Sequence, residues 1–214
     1  MFGLLRTTIL SLALALALAF GAGSVLAQDF QKFLAAYQDF QKGFAAYNAG
    51  DYATPLQEWR PLAEQGNADA QGNIGVMYDK GKGVLQDYAE AVKWYRMAAE
   101  QGHANAQNNI ALMYSKGKGV LQDYAEAVKW YRLAAEQGDA KAQFNLAVMY
   151  YKGRGVLQDN IRSHMWSNIS SANGLEIARE ARQETEGEMS ADVITKAQSM
   201  AKECMNSNYK NCGW

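Results

Sequence analysis

Apolar positions recur along this chain at helical spacing, in short runs separated by glycine-rich breaks. Between Ala68 and Tyr78, the residues Ala70, Ile74, Met77 and Tyr78 stand at i, i+4, i+7 and i+8, which lines one face of a helix. Asp79-Lys80-Gly81-Lys82-Gly83 interrupts the pattern, because glycine permits the left-handed backbone of a helix stop. Asp87-Tyr88-Ala89-Glu90 then has capping-box spacing, with an acid placed to accept from first-turn N–H groups. A second helix is predicted from Tyr88 to Gln101, with Ala91, Trp94, Tyr95 and Ala98 as its apolar stripe and Gly102 as its stop. Ala70, Gly75, Ala91 and Ala98 are small enough for close helix approach, and Trp94 and Tyr95 fill the space between.

The unit repeats with a period of 36 residues. Residues 66–101 and 102–137 are nearly the same sequence, and 138–173 keeps the frame but drifts in its second half. There Asn160-Ile161-Arg162-Ser163-His164 replaces Tyr-Ala-Glu-Ala-Val, which predicts an atypical packing surface. The equivalent apolar positions are Ala106, Ile110, Met113, Tyr114, Ala127, Trp130, Tyr131 and Ala134, then Ala142, Leu146, Met149, Tyr150 and Trp166. A period of this length marks stacked repeats, whose core lies between neighbours and whose helices share one long surface. The expected fold is an all-α right-handed solenoid of antiparallel helix pairs, about eight to nine helices in all. Its first functional expectation is binding rather than catalysis.

The pattern resembles the Sel-1-like repeat, a tetratricopeptide relative with a longer inter-helix loop. The resemblance rests on Ala68, Ala70, Gln71, Ile74, Gly75, Met77, Tyr78, Gly81, Gly83, Val84, Asp87, Ala91, Trp94, Tyr95, Ala98 and Ala99, and it spans about residues 29–175. Leu85, Leu121 and Leu157 stand where the family often has proline. The resemblance implies a module that binds another protein or a peptide. Some disulfide-rich relatives carry a β-lactam-hydrolysis label, but this chain lacks their cysteine pairs in each repeat.

The ends differ from the array. Residues 1–27 read as a secretory signal peptide: Arg6, an apolar run from Ile9 to Phe20, and the small-x-small site Val25-Leu26-Ala27 before Gln28. An uncleaved anchor is the alternative, although the run is short for a membrane span. With the resemblance, this implies export to a bacterial periplasm, or secretion. Residues 28–65 should form a tetratricopeptide-like pair, one helix over Asp29–Asn48 and another over Tyr52–Gln65, kinked at Pro61. Residues 174–214 should cap the array with a helix over Leu175–Glu186 and a Ser190-capped helix to Met205. An interaction tail is the alternative. In an exported chain the two cysteines, Cys204 and Cys212, suggest a disulfide closing a small loop. The same tail resembles the ending of many exported bacterial Sel-1-like proteins.

Charge and motifs narrow the function. The formal net charge is −1, and loss of Arg6 would make it −2, which argues against nucleic acid or an anionic membrane as the main partner. No metal or cofactor is expected. Ser199-Met200-Ala201-Lys202 matches S-x-x-K but has no companion motif. His103 and His164 have no nucleophile or orienting acid near them in sequence, and His103 takes a polar helix-start position. Lys80-Gly81-Lys82-Gly83 lacks the spacing of a phosphate loop. One constellation suits binding. Asn73, Asn109 and Asn145 recur just before the core residues Ile74, Ile110 and Leu146, where the resemblance puts a groove-facing position. A carboxamide both donates and accepts, so a row of them could hold an extended peptide backbone. It could equally brace neighbouring repeats. Lys80, Lys116 and Lys152 could form a positive rim for an acidic peptide or a C-terminal carboxylate, or they are solvated charges at helix C-termini. The alternative functions are cell-wall or β-lactam-related binding or hydrolysis, and self-assembly through apolar surface exposed on the drifted third-copy helix.

Overall fold

The computed structural model describes residues 25–210 and 212. The described residues form ten helices: α1 Val25–Asn48, α2 Ala53–Glu64, α3 Ala68–Lys80, α4 Tyr88–Glu100, α5 Ala104–Lys116, α6 Tyr124–Ala135, α7 Ala140–Lys152, α8 Asn160–Ala172, α9 Ile177–Glu186 and α10 Ala191–Asn206. That exceeds the eight to nine expected: two helices precede the copies, the three copies supply six, and the tail adds two. The signal-peptide segment lies outside the described residues except for Val25–Ala27, which belong to α1. None of the described helices is long and apolar enough to cross a membrane.

The described residues up to Leu62 and those from Ala63 onward form two compact units. In the first, the indole of Trp59 packs across α1. Its Nε1 donates to the Phe40 carbonyl at 3.1 Å, and the Phe40 and Tyr47 rings each lie 5.9 Å from it. Gly43 is required there, since a Cβ would come within 2.5 Å of the indole nitrogen. Asp51 starts α2 by accepting from the Ala53 and Thr54 amides. The helix continues through Pro61.

The second unit follows from its repeat chemistry. Asn67, His103 and Asp139 cap the first helix of each copy, accepting from Ala70, Ala106 and Ala142 amides. Asp87, Asp123 and Asp159 do the same for the second helix. Gly81, Gly117 and Gly153 end the first helix in the left-handed region, with φ of 64°, 65° and 60°. Stacking is close at the loops: a Cβ on Gly119 would lie 2.2 Å from the Tyr88 carbonyl oxygen of the preceding copy.

Each core layer is built from α3–α4, α5–α6 or α7–α8. Tyr95 lies under Gly75 so tightly that a Cβ there would be 2.6 Å from its ring. Trp94 and Trp130 are half-buried rather than central, and Val92 and Val128 join the buried stripe in their place. Trp130 and Tyr114 pack against both the core of the first two copies and that of the last two, which links the layers in series.

The third copy departs from this filling. On α8, Ser163, His164, Ser167 and Ser170 are buried where the second copy has Ala127, Val128, Tyr131 and Ala134. Ser170 Oγ donates to the Ala140 carbonyl, and His164 Nε2 meets a Glu186 carboxylate oxygen at 2.9 Å. Beyond α8, α9 and α10 close the array, and α10 brings Ala201 and Cys204 onto Trp166 and Ile169. The Ser190 side chain makes no cap bond, unlike the expectation. Cys204 and Cys212 are both buried and placed for a disulfide, with Cα atoms 4.5 Å apart. This turns the tail so that the Tyr209 ring covers Gly138 and its hydroxyl exchanges hydrogen bonds with Asn173.

Candidate functional site

The three repeated asparagines sit half-buried on α3, α5 and α7, and their surroundings differ. Asn145 Nδ2 donates to Asn108 Oδ1 at 3.0 Å, across the step from the third copy to the second. One step earlier the residue equivalent to Asn108 is Gly72, which has no side-chain acceptor. Asn109 accordingly has no hydrogen-bond partner among the described residues, and neither has Asn73. The structure thus separates three chemically equal positions into one bracing amide and two that remain available.

The amide that does brace every copy is a glutamine. Gln71, Gln107 and Gln143 are buried at 1%, 4% and 0% exposure. Each donates to a carbonyl of the preceding helix: Gln71 to Ala63 at 2.9 Å, Gln107 to Ala99 and Gln143 to Ala135, both at 3.1 Å. Each accepts from an amide 30 residues later, Gln101, Gln137 and Asn173. Both ends of the buried carboxamide are satisfied, so removing one breaks two hydrogen bonds between copies and empties space in the core. The signal was present in the sequence, since this Gln pairs with an amide residue at one fixed offset in all three copies. It looked like consensus only because nothing in a sequence says which repeated amide is buried.

The lysines are peripheral. Lys80, Lys116 and Lys152 are exposed in the last turn of α3, α5 and α7, and Lys80 pairs with its neighbour Asp79. Other loop cations join copies instead: Lys118 lies 4.6 Å from the Tyr88 ring and Arg154 5.3 Å from the Tyr124 ring. Leu85, Leu121 and Leu157 are about nine-tenths exposed on the loops, so the core does not depend on them.

Two phenols in this unit are raised, for different reasons. Tyr131 is pushed up to about 12 by desolvation, with Ser115 opposing it weakly. Tyr151, exposed, is raised chiefly by donating to Glu188, which also accepts from Asn160.

The remaining candidates do not assemble into a reactive site. Ser199 and Lys202 lie on the exposed side of α10. His103 caps α5 through Nδ1 while Nε2 faces Asp69. Among the described residues no cluster of three His, Cys, Asp or Glu side chains is placed to hold a metal. The apolar residues of α8 that would support self-assembly, Met165, Trp166 and Ile169, are fully buried.

The family model of the Sel1 repeat matches residues 68–103, 104–139 and 140–175. Two solved structures are similar. One is a protective antigen of uropathogenic Escherichia coli displaying an SLR fold, with 37% identity and a TM-score of 0.65. The match covers 72% of this chain and 34% of that one, so this chain spans about a third of that antigen. The other is a Sel1 repeat protein from Oxalobacter formigenes, with 30% identity, a TM-score of 0.62, and coverage of 79% of this chain and 77% of that one. No protein of curated function matches. Helix pairs stacked in an all-α right-handed solenoid, three consecutive matching repeats and these neighbours lead to one conclusion: the chain belongs to the Sel1-repeat family, whose members are generally protein-interaction scaffolds and typically non-catalytic.

Proposed function

We propose that this protein is a non-catalytic adaptor of the bacterial cell envelope that holds a partner polypeptide along α3 and α5. The observation behind this is the division among the repeated asparagines. Asn73 and Asn109 keep a donor and an acceptor without protein partners, one repeat apart, which suits the main chain of an extended segment. Asn145 is occupied by Asn108 and contributes only support. The exposed lysines add positive potential beside the same helices and favour an acidic segment, to a salt-dependent degree. The envelope location rests on the export-like N-terminal sequence and on a buried cysteine pair of the kind that persists as a disulfide in oxidising compartments.

The test is retention of partners on immobilised protein. Asn73→Ala with Asn109→Ala should lose a partner that the wild type retains, while the melting temperature changes little. A melting temperature that collapses, or a partner held equally by both, would overturn the assignment of these two amides.

A further inference from the structure

The third copy has changed at one spot, and the changes converge on a cavity. In the first two copies a tyrosine, Tyr95 or Tyr131, rises from the second helix and fills the space beneath the first. Tyr131 ends 3.4 Å from Ser115 Oγ on α5. In the third copy the equivalent residue is Ser167, and Ser163 replaces the neighbouring alanine. A cleft of about 230 Å³ lies there, lined by Phe144, Val148 and Tyr151 of α7, the two serines of α8, and α9. A cavity of roughly 150 Å³ already holds a benzene ring, so this one has room for a phenol.

Its chemistry matches its size. Phe144 and Tyr151 stand where the earlier copies have Gly72 and Asn108, and Asp79 and Ser115, so the walls gained two rings where the floor lost one. Tyr151 is held by Glu188. Ser167 is 1% exposed, and its Oγ has no hydrogen-bond partner among the described residues. A buried hydroxyl without a partner is costly unless something comes to satisfy it. Lys152 and Glu184, of opposite charge, also line the cleft. Apolar walls with a few placed polar groups are the ordinary make-up of a ligand pocket.

We infer that the cleft between α7, α8 and α9 is an anchoring pocket for a tyrosine side chain of the bound polypeptide, its ring between Phe144 and Tyr151 and its hydroxyl on Ser167, whose side chain turns from its sealed position to the guest by a change of χ1 rotamer. The inference deepens the adaptor reading and rests on it for the source of the ring. The vacated space is that of this protein's own tyrosine, so the incoming ring restores the packing of the earlier copies from the opposite side. The charges of Lys152 and Glu184 suit the polar main chain of a peptide that continues past the pocket.

The probe is N-acetyl-L-tyrosinamide, titrated into the full chain by calorimetry or NMR beside N-acetyl-L-phenylalaninamide and p-cresol. Saturable one-to-one binding of the tyrosine amide is expected. It should weaken at least about tenfold on Ser167→Tyr, which refills the space from within, and on Val148→Phe, which narrows the cleft should the first variant fail to fold. Ser167→Ala should keep the pocket and reduce the preference for tyrosine over phenylalanine by about tenfold, the worth of one buried hydrogen bond. No saturable binding, or equal binding to the filled variants, would overturn the pocket. Binding of p-cresol with exclusion of the amide would also overturn it, since the source would then be a free phenol. Asn73 and Asn109 belong to the two earlier copies, so loss of the pocket leaves their test untouched, and the two failures can be told apart.

Discussion

In the second copy Tyr131 rises from α6 and closes the space below α5, whereas in the third Ser167 stands in its place and a cleft of about 230 Å³ remains. The frame around the two is the same. Both copies have an aspartate cap on the second helix, a left-handed glycine after the first, and a buried glutamine bonded to the preceding copy. Frame and filling are therefore separable in this protein. Caps, glycines and the glutamine hold a copy in register through local hydrogen bonds and backbone conformation. The filling can then change without loss of the helix pair, provided the next layer compensates. In the third copy α9, α10 and the tail supply that layer, covering Trp166 and Ile169 and bringing the cysteine pair into the core.

The sharpest way to break the comparison is to give the second copy the third copy's filling. Tyr131→Ser should cost about 3–5 kcal/mol in denaturant unfolding, as for other large aromatic truncations, because no capping layer has adapted to it. Ser167→Tyr should be neutral or stabilising, and a cost as large as that of Tyr131→Ser would show that the cleft is not a vacated tyrosine site. Next in size is the frame itself: Gln107→Ala should cost about 2–4 kcal/mol, since it removes two hydrogen bonds between copies and leaves a cavity where the buried side chain stood.

Alkaline unfolding reports on the filled second copy through Tyr131. The folded pKa of Tyr131, pushed up to about 12, lies above the ordinary value of 10.0. The unfolded chain therefore releases this proton first, and stability present below pH 10 is lost as pH rises toward 12. The loss is about 2–3 kcal/mol for a shift of this size. Tyr131→Phe should flatten that part of the pH profile. Reduction of the Cys204–Cys212 bond should lower stability by about 2–3 kcal/mol and loosen Tyr209 from Gly138, seen as a lower melting temperature in reductant. The smallest effect is expected at Asn109→Ala, within about 0.5 kcal/mol. This contrast with Gln107 separates the available amide from the bracing one.

Much of this was legible beforehand. The caps at Asp87, Asp123 and Asp159 and the stops at Gly81, Gly117 and Gly153 follow from local chemistry, and local chemistry is what a sequence shows directly. The repeat period carried the helix pairs for the same reason. The Trp94 stripe was less well read, because a 3.6-residue period places several residues near one face and only the neighbouring copy decides which is deepest. The site was the least legible part. Asn73, Asn109 and Asn145 are one residue type at one spacing, yet Asn145 finds Asn108 and Asn109 finds Gly72, a difference set by residues 37 positions away.

By itself, the sequence determined the helix pairs of the three copies, the family and the number of copies, because each depends on contacts within a few residues or on strict repetition. Tertiary structure alone decided which amides are spent on bracing, that the tail lays Tyr209 over Gly138, and that a cleft walled by Phe144 and Tyr151 remains above Ser167. Those outcomes depend on which side chains from three successive helices share a volume. A side chain's burial and partners are properties of that shared volume, which no single helix specifies.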